Sequence, residues 1–267
     1  ASLFDYFADW EILEEVNVEG VQNVLDFSSM NGVDHFVHWS TLGVLGEAGF
    51  ETPKTEEDDY SPHNDYCKSK MMQEKYVKSF IGDVETTIIR PAPLYGPRHK
   101  YGVLHVLKTL ETVGFAPIFN IKPEKYKLVF PSTHVDDIVS SAIYLHKNKE
   151  KYGGEIYNVL SDNITQDELL RFLADEMELR KIEIPMRIKP YKCLAKGVVP
   201  LSRVIEKLEE KRGSRPPVDA AMTYYLSHNM WFSNEKIKDT GFKFNYQNPK
   251  KGLREYVEWA RGEGLIK

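Results

Sequence analysis

The chain has 267 residues, 42% hydrophobic and 28% charged, with a formal net charge of −5 and two cysteines. That is ordinary globular usage, with length enough for a sizeable core in one or two domains. A mildly acidic chain gives no electrostatic reason for a nucleic-acid partner. Cys67 and Cys193 make no disulfide framework, no Cys/His spacing suits zinc, and no apolar run approaches the ~18 residues of a membrane span. No metal is expected, and the composition points to a cytoplasmic protein.

Trp10, Leu13, Val16, Val21, Val24 and Leu25 recur at helical spacing, and Gly32 is placed to end that helix. Phe36, Val37 and Trp39 then form a short apolar run that reads as a buried strand of a parallel sheet. Ser40 and Thr41 follow it. Ligands of such sheets bind beyond the carboxyl ends of the strands, which puts both hydroxyls at the rim of a site. The plainer use of two such hydroxyls is to begin a turn. An acidic loop, Glu51–Asp59, leads to a helix carrying Tyr66 and Lys70.

Residues four apart on a helix share a face. An ammonium held near a phenol stabilises the phenolate and lowers its pKa from ~10. Tyr66 is thereby a candidate proton donor and acceptor for an alcohol or carbonyl. The plainer reading is a solvated helix pair.

A β-branched strand near Thr86–Arg90 stops at Pro91. After Gly96 the pattern becomes irregular, with Pro117, Pro123 and Pro131 as breakers, where a substrate-facing insertion is expected. In Thr133–Val139 an aspartate is placed to cap a helix running to about Leu145. Ile156–Leu160 reads as a strand returning to the sheet, and Thr165 with Glu168 as a capping box. From Pro190 onward the chain reads as mainly helical, with Glu206–Arg215 a solvated helix end and loop. Met222, Tyr224, Tyr225, Leu226, Met230, Trp231 and Phe232 read chiefly as core, and secondarily as a pocket for an apolar alcohol.

Taken together these segments resemble the extended short-chain dehydrogenase/reductase family, which includes the NAD-dependent epimerases and dehydratases. Asn17–Leu25 is similar to its helix before the catalytic strand, and Ser40–Gly46 to its Ser-Ser/Thr-x-x-Val-Tyr-Gly strand end, with Leu45 at the usual tyrosine. Tyr66-Cys67-Lys68-Ser69-Lys70 is similar to its catalytic motif, 25 residues beyond Thr41. Arg90-Pro91 through Arg98, His134–Asp137 and Gly154–Val159 also fit. The family's Gly-x-x-Gly-x-x-Gly does not occur before Asn17, so the resemblance implies a Rossmann-like fold whose first strands and pyrophosphate-binding turn are lacking.

The resemblance implies an α/β fold with a doubly wound parallel sheet in residues 1–97 and 134–162. A smaller, mostly helical substrate domain takes residues 98–133 and 163–267. It implies an NAD- or NADP-dependent oxidoreductase in which Tyr66 exchanges a proton with the substrate oxygen, Lys70 holds the nicotinamide ribose and Thr41 hydrogen-bonds the same oxygen. Ser40 stands in reserve beside the cofactor. Pro91, Ala92 and Leu94 line the nicotinamide pocket, and Arg98 and Asp136 face a small-molecule substrate, Arg98 reading equally as a surface ion-pair partner. Family members pair the helices corresponding to Asn17–Ser28 and Ser61–Ser79, so a homodimer is expected. Dehydratases of the family carry Asp-Glu where Leu42-Gly43 stands, and epimerases often an Asn where Pro93 stands. Arg90-Pro91 and the tail resemble the 3β-hydroxysteroid dehydrogenase and dihydroflavonol reductase branch more. A sugar-nucleotide epimerase is the alternative, and a truncated, non-catalytic relic a second alternative.

Overall fold

The computed structural model describes residues 2–4, 8–198 and 220–267. Its centre is a three-stranded parallel sheet in which β1 (His35–Trp39) pairs with β2 (Glu85–Pro91), which pairs with Ile156–Val159. Successive side chains of a strand point to opposite faces. Ile88 therefore packs with Val21, Leu25, Val77 and Val84 from α1 (Gly20–Met30), α2 (Asp65–Ser79) and the approach to β2. Ile89 packs on the other face with Ile138, Leu145 and Tyr157. Each such buried side chain contributes on the order of 1.5–3 kcal/mol. The doubly wound α/β expectation is met.

The first helical stretch is not one regular helix. An α-turn, Trp10–Leu13, runs into a π-helical segment, Glu14–Glu19, before α1 begins. The inserted wide turn rotates the apolar face. Leu13, Val18 and Val21 are buried, while Val16 and Val24 are 41% and 45% exposed. Buried Asn17 donates to Ser69 Oγ at 3.0 Å, and Gln73 Nε2 donates to the Asn17 carbonyl, tying this segment to α2.

The stretch after Gly96 is more regular than its prolines suggest. Helix α3 (Val103–Val113) ends at Gly114 in the left-handed region, φ 78°. Strand β3 (Phe115–Lys122) follows, with Pro117 inside it. After it come α4 (Val135–Lys147), β4 (Ile156–Val159, the third strand of the central sheet), α5 (Gln166–Glu176) and β5 (Arg180–Arg187). β3 pairs in parallel with β5, from Phe115 beside Arg180 to Lys122 beside Arg187. A two-stranded ribbon leaves one edge of each strand unpaired, so it tolerates a residue without an N–H.

Helix α4 begins as expected, but its cap is His134, whose Nδ1 accepts from Asp136 N at 3.2 Å. The capping box at Thr165 and Glu168 is present. Beyond it lie helical residues 188–198 (α6), α7 (Ala220–Ser227) and α8 (Pro249–Gly262). The expectation for Glu206–Arg215 lies outside the described residues, as does the side chain of Met222. Buried Asp137 accepts from Asn245 N at 2.7 Å and Tyr246 N at 3.0 Å, fastening the tail to α4. No helix among the described residues is long and apolar enough to cross a membrane.

Candidate active site

The chain leaves β1 with Ser40, whose N–H still bonds the Ile89 carbonyl at 2.8 Å. Thr41 is extended, φ −157° and ψ 147°, and its hydroxyl accepts from Gly43 N at 3.2 Å, capping a single 3₁₀ turn, Leu42–Val44. The turn-starting use of Thr41 is therefore real, and it fixes the side chain at the strand's carboxyl end.

Helix α2 starts at Asn64, which accepts from Cys67 N at 2.8 Å. That places Tyr66 in the first turn and Lys70 one turn on. The two segments meet at Gly43. A Cβ there would stand 2.5 Å from Cys67 Sγ, 3.5 Å from Thr41 Oγ1 and 3.6 Å from His63 Cε1. The Thr41 hydroxyl and the start of the Tyr66 helix thus flank one point.

Tyr66 packs edge-on against Phe4, ring centroids 5.1 Å apart. Burial, with a smaller contribution from neighbouring Cys67, pushes its phenol up from the ordinary 10. Lys70 is 4% exposed and donates to the Trp39 carbonyl at 2.8 Å. Burial pulls its amine down to about 8, against an opposing pull from Glu74. The expected lowering of the tyrosine is therefore reversed in this state. The ammonium is turned onto the end of β1, and desolvation of the phenol dominates. Buried His38, whose Nε2 has no hydrogen-bond partner among the described residues, is pulled down to about 3 by burial first and Lys70 second.

Ser40 is not available to a cofactor as its position suggests. Its buried hydroxyl donates to the Glu74 carboxylate. Glu74 also receives Tyr60 OH at 2.8 Å and the Arg90 guanidinium, Nε at 2.9 Å and Nη2 at 2.7 Å. Arg90 Nη1 reaches the Glu56 carbonyl at 3.1 Å. Sequence reasoning missed Glu74 as a site residue. Two signals pointed to it: an arginine on a strand about to be buried must find a carboxylate, and Glu74 continues the Tyr66–Lys70 face by one turn.

Pro91 and Ala92 close β2. Ala92 N donates to Thr133 Oγ1 at 3.0 Å, and that hydroxyl donates to the Val159 carbonyl at 2.7 Å. Ala92 packs with Leu42, Val44 and Leu160, bringing this strand end against the Thr41 turn. Leu94 pairs with Thr133. Arg98 and Asp136, by contrast, lie exposed on the surface. Asp136 is 3.7 Å from His134 Nδ1. The buried member of the aspartate pair is Asp137, and it serves the tail.

The family model described as "NAD dependent epimerase/dehydratase family" matches residues 4–159. The chain belongs to that family. It is 28% identical over 190 residues to the UDP-glucose 4-epimerase of Vibrio cholerae, covering 69% of this chain and 56% of that protein. It is 24% identical over 271 residues to short-chain dehydrogenase/reductase family 42E member 1 of Bos taurus, covering 95% of this chain and 66% of that one. The chain thus spans little more than half of the first relative and about two thirds of the second. Among solved structures it superposes on MoeE5 in complex with UDP-glucuronic acid and NAD, with a TM-score of 0.67 at 16% identity, over 98% of this chain and 78% of that one. At that identity the likeness speaks for the Rossmann-like fold alone.

Proposed function

We propose that this chain is the catalytic part of an NAD(P)-dependent oxidoreductase that moves a hydride between nicotinamide and a secondary alcohol or carbonyl of a small molecule. The supporting observation is that Thr41 caps the turn at the carboxyl end of β1, that the start of the Tyr66 helix meets that turn at Gly43, and that Lys70, one turn further along that helix, is buried against the Trp39 carbonyl. An ammonium has three N–H donors. Among the described residues Lys70 spends one of them, on the Trp39 carbonyl. A buried cation with donors to spare fits the hydroxyls of a nicotinamide ribose. NAD(P), when bound, supplies the hydride acceptor or donor.

The chain's own residues do the rest. Tyr66 Oη holds or releases the proton of the substrate oxygen, and the Thr41 hydroxyl orients that oxygen. Lys70 keeps a positive charge beside the phenol, so that the phenolate formed during turnover is less costly than burial alone would make it. Pro91, Ala92 and Leu94 form the wall beside the nicotinamide. Residues 1–97 and 134–162 form the nucleotide half and residues 98–133 and 163–267 the substrate half. The protein works as a cytoplasmic homodimer.

The sugar-nucleotide epimerase reading uses the same three residues and is favoured by relatives such as the Vibrio cholerae enzyme. Absorbance of reduced nicotinamide at ~340 nm separates the two, because an epimerase returns the hydride and leaves no net reduced cofactor. Net reduction with a secondary alcohol, abolished in Tyr66→Phe, is the expected result. Activity retained in that variant removes the assignment.

A further inference from the structure

The end of the sheet away from the candidate active site carries a pair of imidazoles that the proposed chemistry does not use. His35 opens β1, beside Glu85 at the start of β2, and is buried. His146 is exposed in the last turn of α4. Their Nδ1 atoms are 3.0 Å apart, the ring planes are inclined by 12° and the centroids are 5.2 Å apart. Two imidazoles with nitrogens that close can hardly set their centroids further apart. Each Nδ1 therefore points along its own ring at the other, which is the line of a straight hydrogen bond. His35 Nε2 is in turn 2.9 Å from the buried hydroxyl of Thr87 on β2. One line of hydrogen bonds thus runs from inside the sheet, through His35, to the end of α4.

A straight N···N contact holds one hydrogen. In the uncharged pair one Nδ1 donates and the other accepts. A first added proton has a place on Nε2 of exposed His146. His146 then donates from Nδ1 to His35 Nδ1, His35 donates from Nε2 to Thr87 Oγ1, and every bond survives. A second added proton has only His35 Nδ1 to go to. Two N–H groups would then face each other between two cations, and the bond is lost. Asp34, Glu85 and Lys149 face the pair, with Asp34 and Lys149 joined as an ion pair. Burial first and His146 second pull His35 below its ordinary 6.5; Glu85 and Asp34 pull the other way, and Lys149 adds to the lowering.

We infer that His35 and His146 form an acid-sensitive clasp, which takes up one proton and stays closed, and which a second proton opens, releasing the C-terminal end of α4 from the amino ends of β1 and β2. The opened pair takes both protons near pH ~6.5, whereas the closed pair takes one. Below that pH the opened state binds more protons, so closure weakens as pH falls.

The full-length protein, with isotope-labelled histidine nitrogens, is followed by magnetic resonance from pH ~7 to ~5, and amide exchange at the end of α4 is read over the same range and corrected for its intrinsic pH dependence. A coupling through the hydrogen bond between the two Nδ1 nuclei is expected at pH ~6, and protection of the amides of residues 146–148 should fall tenfold or more by pH ~5. His146→Ala removes the head-to-head conflict and, at an exposed position, spares the fold. His35→Gln keeps a side chain that can bond Thr87 without titrating. In His146→Ala, and in His35→Gln where it folds, the change in protection should stay within about twofold. Absence of the coupling, two imidazoles that take up their protons together, or protection that falls as steeply in His146→Ala as in the parent overturns the inference.

Discussion

Glu74 grips Arg90 in a two-pronged bond, at 2.9 Å from Nε and 2.7 Å from Nη2, with both side chains buried. The pair joins the helix of Tyr66 and Lys70 to the strand that ends at Pro91. Removing one partner leaves a buried charge alone, which costs ~3–5 kcal/mol. Glu74→Gln should therefore lower the unfolding free energy read from urea melts by about that much, and Glu74→Leu with Arg90→Leu should recover a large share. A double variant as unstable as the sum of its parts would show that the pair is not coupled.

Tyr66→Phe keeps the ring against Phe4 and removes only the hydroxyl. Turnover in the full-length protein should fall by ~10²–10⁴, the usual worth of a general acid–base group. The thermal midpoint should stay within a degree or two.

Lys70 supplies a pH signature. Its folded value, about 8, lies below the ordinary 10.5. Between those values the unfolded chain binds the extra proton, so stability rises with pH across that window and is lowest where the ammonium is charged in both states. Urea midpoints should climb from pH ~8 toward ~10, and Lys70→Met should flatten the climb. Activity should run the other way, falling as pH rises through ~8, because turnover uses the charged amine. Lys70→Arg should remove that basic limb if it turns over at all.

Gly43→Ala should destabilise by ~1–3 kcal/mol, because its Cβ would stand 2.5 Å from Cys67 Sγ. Adding Cys67→Ala should restore most of the loss. A single variant as stable as the parent would mean the turn shifts freely.

The proposed dimer has a direct measurement. Val24, Phe27 and Met30 are 45%, 62% and 79% exposed along α1. Light scattering at micromolar concentration should give twice the chain mass, and Phe27→Glu should halve it. A monomeric parent counts against the pairing.

Much of this layout was legible in the sequence because its causes are local. The four-residue spacing of Tyr66 and Lys70, the apolar run before Ser40 and the Thr165–Glu168 box each need only neighbouring residues. What escaped depends on distant partners. Pro117 sits in a strand because β5, some sixty residues later, leaves it an unpaired edge. Ser40 is consumed by Glu74, 34 residues away, and no local pattern records that bond. His134 outcompetes the aspartates for the cap of α4 because the tail backbone takes Asp137. The π-helical turn shifts an apolar face that a fixed period would have placed elsewhere.

The two adjacent hydroxyls at the end of β1 have separate employments. Side chains alternate along an extended backbone. Ser40 therefore turns its hydroxyl to the Glu74–Arg90 knot, while the Thr41 hydroxyl turns to Gly43 N, beside the start of α2. A strand cannot slip by one residue without exchanging those duties. In the proposed mechanism the position of the reacting oxygen is thus set by sheet register as much as by any contact to a ligand. An insertion or deletion anywhere in His35–Trp39 would swap a structural hydroxyl for a chemical one and leave every residue of the motif in place.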